Sequence, residues 1–151
     1  METRRVLVVG PPRIIVDGHE REHLRHKSIA LLAYLVVEHR PVARDTLATL
    51  FWPRSGQADA RRSLRTCLHE LRSVLGEEAI VTVAETVRVN EEVVGTDVGP
   101  LLDETGPVGD GRLRGALAGG EFLEGFTLPD CREFDDWQFR TGERIRAARV
   151  G

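Results

Sequence analysis

From Ile29 to Val37 the chain runs Ile-Ala-Leu-Leu-Ala-Tyr-Leu-Val-Val. Wound as a helix from Lys27 to Glu38, this stretch is apolar almost all round, which predicts a central core helix covered on most sides. The run falls far short of the roughly 20 residues that cross a bilayer. The opening Met1-Glu2-Thr3-Arg4-Arg5 leads into no signal-peptide core. A soluble cytoplasmic protein with no membrane contact is expected. With 151 residues, 41% of them hydrophobic and 30% charged, the chain can bury a real core, so collagen-like, disordered and disulfide-scaffold classes are excluded. Cys67 and Cys131 are the only cysteines. They fit no C-x-x-C spacing, and two reduced, buried thiols are expected.

Elements with clear punctuation flank the central helix. Val6-Leu7-Val8-Val9 stops at Gly10-Pro11-Pro12, and Ile14-Ile15-Val16 stops at Asp17-Gly18. This predicts a small antiparallel sheet with a third short strand at Arg21 to Leu24. After the core helix, Pro41-Val42 leads into a short helix from Arg44 to Trp52, stopped by Pro53. Ala60, Leu64, Leu68, Leu71 and Leu75 then recur at helical spacing and Gly76 closes the run, predicting a helix over 57–75. Ala79 to Val83 and Thr86 to Val89 flank Ala84-Glu85 as a hairpin. Sheet, three helices, hairpin is the order of a winged helix-turn-helix, whose third helix enters the major groove.

Charge supports that placement. Residues 1–76 hold 13 Lys+Arg against 8 Asp+Glu, whereas residues 77–151 hold 8 against 16. The net charge of −3 conceals a basic half suited to a polyanion and an acidic half suited to protein. Around helix 57–75, Arg61, Arg65 and Arg72 fall on one flank of the Leu64 stripe, with His69 further round. Arg62, Thr66 and Glu70 lie about a turn apart on the face farthest from the core. Arg62 suits guanine O6 and N7, the Thr66 methyl a thymine methyl, and Glu70 either cytosine N4 or an ion pair with a neighbouring Arg on the helix.

From Glu91 onward the chain is acidic and Gly-rich. Short helices are expected at Asp97 to Glu104 and Asp110 to Ala118, a compact apolar turn at Gly119 to Phe126, and a last helix from about Cys131 carrying Phe134, Trp137, Ile145 and Ala148. This segment holds too few long helices to close a core of its own and is expected to pack on the first domain or to belong to something longer. His19, Glu20, Glu22, His23 and His26 show no consistent metal spacing. There is no G-x-S-x-G, P-loop or dinucleotide fingerprint. No enzyme, cofactor or metal is expected.

Taken together, Leu31-Leu32-Ala33-Tyr34-Leu35, Arg40-Pro41-Val42-Ala43-Arg44-Asp45-Thr46-Leu47, Leu50-Phe51-Trp52-Pro53 and Ala60-Arg61-Arg62-Ser63-Leu64-Arg65 resemble the SARP family of bacterial antibiotic regulatory proteins. Gly120-Glu121-Phe122-Leu123-Glu124-Gly125 and Phe134-Asp135-Asp136-Trp137 resemble the opening of that family's bacterial transcriptional activation domain. The resemblance implies an α+β fold: a winged helix of the OmpR and PhoB type over residues 1–92, with an N-terminal antiparallel sheet and C-terminal hairpin, then a small α-helical segment over 93–151. It implies a cytoplasmic bacterial activator that binds direct repeats in double-stranded promoter DNA, contacts RNA polymerase holoenzyme and pairs as a homodimer on DNA. The DNA-contacting set is then Arg44, Arg61, Arg62, Ser63, Arg65, Thr66, His69, Glu70, Arg72 and Arg88. The chain departs from the family where relatives often carry Ser and it has Ala43, and in a wing without the usual Gly-Tyr before Arg88. The alternative from another class is a protein-interaction module on a winged-helix scaffold.

Overall fold

A computed structural model of the protein describes residues 3–98 and 120–150. In chain order the elements are β1 (Arg4–Leu7), β2 (Arg13–Val16), β3 (His19–Arg21), α1 (His26–Glu38), β4 (Val42–Ala43), α2 (Arg44–Phe51), α3 (Gln57–Leu75), a 3-10 turn (Glu77–Ala79), β5 (Ile80–Val83), β6 (Thr86–Val89), β7 (Gly95–Thr96) and α4 (Arg132–Val150). As its composition requires, α1 buries Ser28 and every residue from Ala30 to Val37. One side of the molecule is a four-stranded sheet in the order β3-β2-β1-β7, and beyond the helices β4-β6-β5 forms the wing sheet. The architecture is an α+β winged helix.

Three local differences from the sequence reading have physical causes. The third strand begins at His19 and ends at Arg21, before the expected Arg21–Leu24 span. Asp17 and Gly18 both take positive φ, 53° and 81°, and this two-residue turn pairs Val16 directly with His19. Helix α2 ends at Phe51 because Trp52 precedes Pro53 and adopts φ −131°, ψ 59°. Asp97 does not start a helix. Its two carboxylate oxygens accept the backbone N–H of Val8 at 2.9 Å and of Val9 at 3.0 Å, just after Gly95 and Thr96 pair in parallel with Arg5 and Val6. Burial pushes the Asp97 carboxyl up despite those two donors. The remainder of that expected helix, and the one expected at Asp110 to Ala118, lie outside the described residues.

The chain after residue 120 shares the core. Phe122, Leu123, Phe126, Leu128, Phe134, Trp137 and Ile145 join the cluster that contains α1, α2 and α3. Tyr34, Phe51, Phe122, Phe134 and Trp137 form a run of aromatic contacts with centroids 4.9–6.0 Å apart. Phe122 also bridges Val9 and Gly10, and the Leu123 N–H reaches the Val8 carbonyl at 2.8 Å. Cys67 and Cys131 are free and buried.

The wing turn stores strain. Val83 pairs with Thr86, leaving a two-residue loop in which Ala84 holds φ 54°, a conformation that costs an L-residue with a Cβ. Ala84→Gly is expected to raise stability by about 1 kcal/mol, measured by denaturant unfolding. A loss of stability would show that chain entropy outweighs the strain there.

Candidate nucleic-acid interface

Helix α3 is fixed at both ends by residues of other elements. Its start lies behind α2, where Arg61 Nη2 meets Asp45 Oδ1 at 2.6 Å and Nε meets the same oxygen at 3.0 Å. The hydrogen bond and charge of Asp45, with Glu85 of the wing turn as a smaller contributor, raise the Arg61 pKa above its ordinary value. Its end is closed by Gly76 at φ 102°, where a Cβ would come within 3.0 Å of the Arg4 guanidinium. Arg4 in turn meets Glu78 at 2.7 Å, which ties the turn after α3 to β1. Arg72 donates to the Ile80 carbonyl and to Thr82 Oγ1, each at 3.4 Å, so it faces the wing.

The hairpin is positioned by the same economy. Ala43 precedes α2 with no side-chain cap, and the first free N–H, that of Arg44, donates to the Glu85 carbonyl in the wing turn at 2.8 Å. Asp45 in the first turn adds a negative charge at the positive end of the α2 dipole. One contact thus satisfies a helix terminus and holds the wing against α2. Arg88 lies half-buried on β6, its Nη1 3.5 Å from the Val89 carbonyl.

Between those ends the outward residues of α3 are Arg61, Arg62, Arg65, Thr66 and His69, all exposed, with Ser63 half-buried. Arg62 keeps a loose pair with Asp59 at 3.8 Å, both side chains more than 70% exposed, worth little in water. Thr66 donates its hydroxyl to the Arg62 carbonyl at 3.1 Å, which leaves its methyl as the free end. Arg65 and His69 have no ion pair among the described residues. The structure therefore brings Arg61, Arg62, Arg65, Thr66 and His69 together, with Arg44 and Arg88 at the margin and Arg72 turned to the wing.

Glu70 has a different task from the row it was grouped with. Helix α1 has no acidic residue in its first turn and no side-chain cap. Glu70 supplies one from α3, its Oε1 accepting the Arg25 N–H at 3.1 Å and its Oε2 the Arg25 guanidinium at 2.7 Å. The partner is thus Arg25, from the loop before α1, and no Arg of its own helix. Burial pushes the Glu70 carboxyl up, but Ser28 and Arg25 together outweigh it and hold it below the ordinary glutamate range. A depressed folded-state pKa gives stability that is whole at neutral pH and is lost as pH falls through that lowered value. Glu70→Ala is expected to cost about 1 kcal/mol at neutral pH and to flatten the acid limb of the stability curve. An unchanged acid limb would remove Glu70 from this capping role.

Sequence spacing gave no hint of Arg25 or Asp45 as organisers of α3, since their partners come from other elements. Among the described residues no helix is long and apolar enough to cross a membrane.

No family model matches the chain, and no curated protein sequence does. Among solved structures it is similar to Mycobacterium tuberculosis EmbR, described in complex with a low affinity phosphopeptide, with a TM-score of 0.70 and 21% identity. The match covers 98% of this chain but spans 44% of that protein's length. What the two share is the fold.

Proposed function

We propose that this chain is a transcriptional regulator that binds double-stranded promoter DNA with α3 in the major groove. The observation that carries the proposal is the exposed basic row Arg62, Arg65 and His69, with Arg61 held beside it by Asp45, on a helix whose two ends are clamped by its own domain. Arg65 and His69 are suited to phosphates, Arg62 and Thr66 to base edges, and Arg44 and Arg88 to the flanking backbone. Residues 1–92 serve as the DNA-binding unit and residues 93–151 as the opening of an activation domain, whose residues from Phe122 to Ile145 share the core of that unit. The acidic second half is the side offered to RNA polymerase, and pairing on direct repeats is the expected arrangement of two copies. Such a protein works in the bacterial cytoplasm, on the nucleoid.

The test is a gel shift with the gene's own upstream region across a salt series. With about four to six phosphates engaged, log affinity should fall with log salt at a slope of roughly −3 to −5. Affinity that stays flat from low to physiological salt overturns the proposal and favours a protein-interaction module on the same scaffold.

A further inference from the structure

Lys27 is the single lysine among 21 basic residues, and it does not face solvent with the arginines. Its ammonium donates to the Phe51 carbonyl at the end of α2, lies 5.4 Å above the Trp52 ring and stands 3.3 Å from Cys131 Sγ. The Cys131 thiol donates to that same carbonyl at 3.3 Å, so its sulfur lone pairs are left toward the amine. A planar guanidinium forks its donors, whereas an ammonium offers one compact nitrogen at the meeting point of α1, α2 and the start of α4. Cys131 is 2% exposed, yet it lines an open groove of about 690 Å³ between the end of α2 and residues 127–136.

We propose that Lys27 and Cys131 form an oxidative modification site, at which a peroxide joins Nζ to Sγ as a sulfenamide. In the first step the thiol sulfur takes one oxygen from hydrogen peroxide, giving the sulfenic acid and one water. The Lys27 ammonium then releases a proton, its nitrogen lone pair attacks the sulfur, and the S–O bond breaks. The hydroxyl leaves as a second water, carrying one of the two N–H protons left on the amine, and the other stays on the sulfenamide nitrogen. Overall, ammonium, thiol and one peroxide give the S–N link, two waters and one proton. Sulfur is oxidised by two electrons and the peroxide is reduced by two. The product staples α1 to the start of α4, and a thiol reductant reopens it.

The experiment treats the full chain with hydrogen peroxide and maps its proteolytic peptides by mass. The expected result is a peptide pair joined between Lys27 and Cys131, lighter than the sum of its parts by two hydrogens, which dithiothreitol separates. It should be absent from Lys27→Met and Cys131→Ser, each checked by thermal unfolding to be folded. Recovery of wild-type Cys131 as a free thiol, or as a sulfenic or sulfinic acid beside unmodified Lys27, overturns the proposal.

Discussion

Replacing Trp137 by Ala is expected to remove about 3–5 kcal/mol of folding stability, a fall in Tm on the order of 10 °C for a chain of this size. Trp137 is 8% exposed and touches Tyr34 of α1 at 4.9 Å, Phe122 at 5.6 Å and Phe134 at 5.3 Å between ring centroids. Its Nε1–H donates to Glu38 Oε2 at 3.2 Å, at the far end of α1. Truncation therefore opens a cavity shared by α1 and α4 and also removes the donor to Glu38 Oε2, leaving that carboxylate with Arg40 at its Oε1. Trp137→Phe weights the two effects differently, since it keeps much of the ring contact while losing the hydrogen bond, which is worth about 1 kcal/mol. Unchanged thermal stability in Trp137→Ala would show that α4 is a loosely attached segment.

The second large effect is on base preference. Against a library of randomised sites, Arg62→Ala is expected to relax discrimination at one position by about 1–3 kcal/mol. Arg65→Ala is expected to weaken all sites alike and make the salt slope shallower by about 1. Arg72, grouped with Arg65 by helical spacing, is expected to behave differently from both, because its guanidinium reaches the wing strand at Ile80 and Thr82. Uniform loss of affinity in Arg62→Ala, with every preference intact, would make Arg62 a phosphate clamp and rotate the proposed docking of α3.

Periodicity made the helices legible. The bounds of α3 match the Leu64, Leu68, Leu71, Leu75 stripe and its Gly76 stop, because a single buried face dictates that spacing. The two-residue hairpin at Ala84-Glu85 was equally visible between β-branched runs. Two kinds of feature were not. Contacts across long stretches of chain, such as Glu70 with Arg25 or Asp97 with Val8 and Val9, leave no period in the sequence. Side chains on one helical flank can also serve different neighbours, as Arg61, Arg65 and Arg72 do with α2, the open face and the wing. Helical spacing gives an angle around an axis, and what stands at that angle changes along the helix.

The parallel pairing of β7 with β1 also bears on the order in which the protein assembles. β1 meets β2 across a turn of five residues between Leu7 and Arg13, whereas Val6 meets Thr96 only after about ninety residues have intervened. Loop closure for the second pairing costs about 2.5 kcal/mol more entropy than for the first. As the chain leaves the ribosome, the hairpin and the three helices have their partners in hand, while β1 waits with one edge unpaired. Only when Gly95, Thr96 and Asp97 emerge does that edge close, so the segment after the wing completes the sheet that β1 and β2 opened.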